Sequence, residues 1–183
     1  RLYGATRQVV AFTWFAAAVG MWTLFEMIQL AATDFQLAFL SYQFAQIGAW
    51  NTGPPLLLYA LTTGPAKRWV TQTFGGILVL AVLPLFVLVF VAPTDVLFVD
   101  PHLVPFGNFS VISHGNRPIY TVYLLWNQLL LLTGVFYILS QTIRNQSVDR
   151  NQAVLLTVSV FVPLSVSIGE TVGVIQAPGT IFT

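Results

Sequence analysis

The chain contains no cysteine, and that absence removes disulfide frameworks, thiolate metal sites and thiol nucleophiles together. Charge is almost as scarce. Only 7% of the 183 residues are Asp, Glu, Lys or Arg while 56% are hydrophobic, and with a mean hydropathy of +0.79 there is too little polar surface to coat a water-soluble globule of this size. The solvent for most of the chain must be lipid. The formal net charge of +1 identifies no partner, because in a membrane protein the location of charge matters more than its sum; nucleic acid is not expected as one. Catalytic parts are missing too: there is no Gly-rich phosphate loop, no paired metal motif and no Ser/His/Asp cluster, so no enzyme activity and no cofactor is expected of this segment. Lys67, the one lysine, lies between apolar runs, where it cannot form the intrahelical Schiff base of a retinal protein.

What is present is a series of long apolar runs. A bilayer span needs about 20 mostly apolar residues, and five segments qualify: 9–30, 35–61, 69–91, 119–143 and 153–175. The expected fold is therefore an all-α polytopic transmembrane helix bundle in one domain. Of the basic residues, Arg1 and Arg7, Lys67 and Arg68, then Arg144 and Arg150 fall in alternate gaps, and Arg117 alone in a gap of the other parity. By the positive-inside rule the three clusters are cytoplasmic and the 92–118 loop external, in a multi-pass protein of the cell membrane. Arg1-Leu2-Tyr3 without an initiator Met, and the apolar Ile181-Phe182 at the other end, suggest part of something larger.

Prolines punctuate the runs. Pro54 and Pro55 leave the carbonyls near Trp50 and Asn51 without their usual intrahelical donors, so a bend is expected there, with the Asn51 amide placed to satisfy one of them. Pro84 and Pro163 are expected to bend their helices likewise, as hinges or as packing devices. Glu26 lies 19 residues beyond Arg7 and Glu170 lies 20 beyond Arg150, which puts both about 28–30 Å above the cytoplasmic boundary at ~1.5 Å per residue. Facing each other, two such carboxyls would resist joint ionisation and hold a shared proton or a cation; facing outward, each would reach headgroups or water. Gln36, Gln43 and Gln46 share a helix face, and Tyr123, Asn127 and Gly134 another. These line an outward-opening pocket or act as the ordinary polar glue of helices in lipid.

The 92–118 loop is long for a connection without a role. Val96-Leu97-Phe98-Val99 and Phe109-Ser110-Val111-Ile112 have strand composition, with Gly107-Asn108 between them, so a hairpin lid is expected. His102, His114, Asp95 and Asp100 match no standard metal spacing. Asn108-Phe109-Ser110 is a glycosylation sequon on the expected outer side.

The order of these features resembles the N-terminal seven-helix membrane region of sensor histidine kinases. The matching landmarks are Trp22-Thr23-Leu24-Phe25-Glu26, Gly48 followed by Pro54-Pro55-Leu56-Leu57-Leu58 and Thr62-Thr63-Gly64, then Pro84, and Asn151-Gln152-Ala153 ahead of Pro163. They cover nearly the whole chain as helices two to six of seven, and the directions that charge assigns to the first and last spans are those the family requires. Where the family has Thr-Asn and then His after its fourth helix, this chain has Thr94-Asp95, with His102 at a distance. The resemblance implies a sensory module that controls a cytoplasmic kinase domain in cis, autophosphorylation on histidine, transfer to a response regulator, and a homodimer. A proton- or cation-coupled transporter or channel is the alternative, and it would normally show inverted repeats. An impermeant amine reagent on intact cells is expected to spare Lys67; its modification there would invert the orientation.

Overall fold

A computed structural model describes residues 2–63, 68–91 and 94–145, together with 154, 155, 157, 158, 160, 161 and 165 from the stretch beyond. In order, the elements are α1 (Leu2–Ala31), α2 (Phe35–Trp50), α3 (Gly53–Thr63), α4 (Arg68–Phe90), a 3-10 turn (Thr94–Val96), β1 (Phe98–Phe106), β2 (Phe109–Asn116) and α5 (Pro118–Asn145). Glu170 and Pro163 lie outside the described residues; Val160 and the other described positions of that last expected span are helical.

One expectation changes shape. The 35–61 segment is not a single helix but two, α2 and α3, interrupted at Asn51-Thr52. The prolines explain the position of the break, since neither Pro54 nor Pro55 can donate to the turn before it. Pro84, by contrast, sits inside an uninterrupted α4.

The surface chemistry is that of a protein in lipid. Among the described residues, Arg7–Ala31 and Pro118–Ile143 are long and apolar enough to cross a bilayer, and only 11% and 33% of those stretches are buried. The core helix of a soluble protein would be mostly covered. Val9, Phe12, Leu24, Met27, Val122, Leu129 and Phe136 are instead exposed, while Ser41, Thr52, Asn127, Gln128 and Gln141 are buried, which inverts the arrangement of a water-soluble protein. Exposed Thr23 and Thr133 each donate their hydroxyl to the carbonyl four residues back, at 2.8 and 2.7 Å, so even the polar atoms on this surface are satisfied locally.

The chain reverses at Thr33-Asp34, where the Asp34 carboxylate accepts the Leu37 N–H at 3.0 Å and caps α2. That end also carries the hairpin. β1 and β2 pair antiparallel from Phe98–Asn116 to Phe106–Phe109, with a bulge between Val99 and His102. The two-residue loop has Gly107 at φ 60 and no positive φ at Asn108, the Gly-first pattern of a type II′ turn. Phe98 and Leu97 at the base of the hairpin are fully buried, and the Arg117 N–H donates to the Leu97 carbonyl at 3.1 Å to close that base over α5. Arg7, Arg68 and Arg144 sit near helix ends away from the hairpin.

The core divides at the helix break. On the hairpin side Tyr42, Ile47, Trp50, Val89, Phe98, Ile112 and Tyr120 form one cluster; beyond the break Leu56, Ala60, Val135 and Ile138 form another. Helices α1 and α2 meet backbone to backbone at Gly48, where a Cβ would stand 2.5 Å from the Trp22 nitrogen and 2.9 Å from the Ala18 oxygen. No side chain fits. Gly48→Ala is expected to cost about 1–3 kcal/mol through forced separation, read as a lower melting temperature in micelles. Gly20→Ala, with nothing within 4 Å, should leave that temperature unchanged or raise it.

Candidate functional site

An α-helix that ran on through residue 53 would join the Gly53 N–H to the Ala49 carbonyl. Here the side chain of Asn127 stands between them. Its Oδ1 accepts the Gly53 N–H at 2.8 Å, and its Nδ2 donates to the Ala49 carbonyl at 3.1 Å and to Thr52 Oγ1 at 3.3 Å. An amide from α5 thus replaces one rung of the helical ladder. The N-terminus of α3 then has little left to satisfy: Pro54 and Pro55 have no N–H, and the Leu56 N–H already reaches the Thr52 carbonyl at 3.4 Å. On the other side, Asn51 Nδ2 donates to the Ile47 carbonyl at 2.9 Å and Thr52 Oγ1 to that of Ala49 at 2.7 Å. Two atoms at the break stay unsatisfied among the described residues, the donor Trp50 Nε1 and the acceptor Asn51 Oδ1, both buried.

From the break a continuous line of rings leads to the hairpin. Trp50 stacks on Tyr123 with centroids 5.7 Å apart and meets Tyr120 edge-on at 5.1 Å. Tyr120 in turn faces Phe98 and His114 at 5.7 and 5.5 Å, and Phe98 meets His114 at 4.8 Å. Tyr120, Tyr123 and Asn127 recur at helical spacing, so α5 presents the whole line on one face.

The hydrogen bonds in this cluster have a direction. His114 Nδ1 is 3.2 Å from the Gly115 carbonyl, which can only accept, so in the neutral ring Nδ1 carries the proton and Nε2 accepts from the Tyr42 hydroxyl. The Tyr120 hydroxyl lies 3.5 Å from that of Tyr42 and 3.4 Å from Gln46 Oε1. Protonating His114 makes Nε2 a donor, so the Tyr42 hydroxyl accepts from it and turns its own proton toward Tyr120, which already donates to Gln46. Burial pushes the His114 pKa below the ordinary histidine value; the Gly115 carbonyl raises it in part, and the charge His102 can carry lowers it again.

Residues 2–183 match the family model described as the N-terminal 7TM region of histidine kinase. The chain belongs to that family. No curated protein and no solved structure matches it. As a member of the 7TM region it is a membrane-embedded sensor segment and not the catalytic part of a kinase.

Within this sensor region the candidates read from sequence separate. Asn127 clamps the break, Gln46 ends the hydroxyl chain and Tyr123 stacks on Trp50. Gln43 turns elsewhere and donates to the Val89 carbonyl of α4 at 2.8 Å, while Gln36 is exposed. Glu26 is half-buried on α1, and Glu170 lies outside the described residues. Pro54 and Pro55 occupy the first turn of α3, and Asn108 is exposed at the hairpin turn. Among the described residues no group of three or more His, Asp or Glu is placed to hold a metal ion. Sequence reading passed over Tyr42, Trp50, Phe98 and Tyr120 and left His114 without a role. Tyr42 lies four residues before Gln46 and Tyr120 three before Tyr123, a helical spacing that pointed to them.

A histidine whose pKa is lowered on folding contributes stability that is fully present above about pH 6.5 and is lost as the pH falls toward the lowered value. The protection factors of the amides in residues 98–116, exchange taken relative to the intrinsic rate at each pH, are therefore expected to fall between pH 7.5 and 5. In a His114→Gln protein that fall should disappear.

Proposed function

We propose that this segment is the stimulus-receiving part of a sensor histidine kinase, oriented with the hairpin outside the cell and the Arg7, Arg68 and Arg144 ends in the cytoplasm. The line of contacts from His114 through Tyr42, Tyr120 and Trp50 to Tyr123, one turn from Asn127 on α5, carries this reading, because it connects the hairpin to the one place among the described residues where a helix is interrupted. A stimulus that displaces the hairpin shifts Phe98 and His114, and through Tyr120 and Tyr123 it moves the face of α5 that holds Asn127. Withdrawal of the Asn127 amide leaves the Gly53 N–H to pair with the Ala49 carbonyl, which Thr52 also holds, or to stay open, so α2 and α3 have two arrangements. The unsatisfied Trp50 Nε1 and Asn51 Oδ1 give the second arrangement bonds to gain. A ligand changes the balance only by binding one arrangement better than the other.

The output is control of a cytoplasmic kinase domain in cis, working as a homodimer and passing phosphate to a response regulator. By their shared depth in the sequence, Glu26 and Glu170 are a second sensing element in this scheme, through protonation or occupancy near either carboxyl. A coupled transporter would also use a broken helix, with the open backbone groups coordinating the ion. Here the Gly53 N–H and the Ala49 carbonyl are occupied by Asn127, which favours a relay over a transport site.

In the full-length kinase in nanodiscs, Asn127→Leu is expected to fix autophosphorylation at one level, changed about 5- to 150-fold and no longer responsive, since allosteric couplings run to about 1–3 kcal/mol. Wild-type output from both Asn127→Leu and His114→Phe would overturn the relay. Glu26→Gln and Glu170→Gln should each shift the pH dependence of output; if neither does, the carboxyl pair has no part in sensing.

A further inference from the structure

The Asp34 end of α2, the 3-10 turn and the first half of β1 enclose an open cleft of about 410 Å³, within the ~300–1,000 Å³ range of small-molecule sites. Its walls are aromatic. Phe35 and Phe39 lie nearly parallel, centroids 5.6 Å apart at 10°, and Phe98 meets Phe39 edge-on at 5.8 Å. The polar groups at the mouth are the exposed carboxylates of Asp95 and Asp100. The bulge between Val99 and His102 sets Asp100 apart from the regular ladder, at φ 47.

We propose that this cleft binds a soluble organic ammonium ion with an apolar body. Ring faces attract a cation through their quadrupoles, most strongly when the cation is weakly hydrated, and two carboxylates at the mouth supply the matching charge. The nearby cations do not cancel it. Arg117 donates its Nε to the backbone carbonyl of Asp95 at 3.1 Å and not to the carboxylate. His102 Nδ1 is 2.8 Å from the Asp100 carbonyl and 4.0 Å from its carboxylate, so it is held by the backbone and not by the charge. A bare metal ion fits poorly, because it needs more oxygen ligands than two separated carboxylates provide, and an anion is repelled. Phe98 joins the cleft to the signalling line, since the same ring touches Tyr42 at 5.6 Å and His114 at 4.8 Å. An occupant against Phe39 acts through the buried Phe98 ring, which Phe39 meets edge-on, on the contact by which the hairpin holds α2 and α5; this role for the ligand rests on the sensor reading above, whereas the binding itself does not.

The test uses benzyltrimethylammonium with the full-length protein in nanodiscs of a neutral glycolipid, followed by saturation-transfer NMR and titration calorimetry. Saturable binding is expected, with no binding of benzenesulfonate. The Asp95→Asn, Asp100→Asn double variant should weaken it at least 10-fold; Asn tolerates the backbone at position 100, and Phe35→Ala provides a second variant that keeps both charges and should also weaken binding. Equal binding of the sulfonate, or unchanged affinity in both variants, overturns the proposal. Replacing half the lipid with phosphatidylcholine distinguishes a headgroup from a free ligand: displacement of the probe overturns the soluble source. Binding that leaves autophosphorylation unchanged counts against the sensor reading and leaves the ammonium site standing. Lost binding alongside altered output from the His114 and Asn127 variants does the reverse.

Discussion

The insertion of one side-chain amide into a helical ladder is the constraint on which the remainder of this structure rests. A helix interrupted inside lipid exposes backbone groups that water cannot reach, and each such group costs about 1–3 kcal/mol when left unmet. Asn127 meets the Gly53 N–H and, together with Thr52, the Ala49 carbonyl. Pro54 and Pro55 reduce what remains by having no N–H to satisfy. The break is thus a built feature, and the register of α5 against α2 and α3 follows from it, because an asparagine side chain is too short to bridge from any other turn.

That register also places the aromatic face of α5 under the hairpin. With Asn127 fixed, Tyr123 falls beside Trp50, and Tyr120 beside Phe98, His114 and Tyr42. The hairpin is held chiefly by rings and a short chain of hydroxyls, not by ion pairs; among the described residues the one histidine-carboxylate approach, His102 to Asp100, is 4.0 Å long and exposed. Contacts of this type respond to small displacements and to the protonation of a single imidazole. A sensor needs attachments of that strength, firm enough to define a resting state and weak enough for a ligand to alter.

Much of the frame was legible in the residues. Apolar run length found α1, α4 and α5, of which α1 and α5 are long and apolar enough to cross a bilayer, and Gly107-Asn108 between two β-rich segments found the hairpin because a two-residue loop needs a residue at ease with positive φ. The break falls just before Pro54-Pro55, whereas the Asn51 amide, expected to meet a carbonyl freed near Trp50 or Asn51, donates instead to that of Ile47, which the Asn51 N–H already reaches. The larger use of Asn127 was hidden, since which helix an asparagine serves depends on a packing register that one sequence does not encode locally. His114 was hidden for a related reason. Its partners Tyr42 and Tyr120 are 72 residues before it and 6 after it in the chain, and only the fold brings them together.

The division of the core at Asn51-Thr52 has a consequence for how such proteins diversify. The hairpin-side cluster, with Phe98, Ile112 and Tyr120, shares few atoms with the cluster of Leu56, Val135 and Ile138 beyond the break. Substitutions that reshape the first leave the packing of the second nearly intact, provided the asparagine joint is kept. In the sensor scheme proposed above, the half that meets the stimulus is thus packed separately from the half beyond the break.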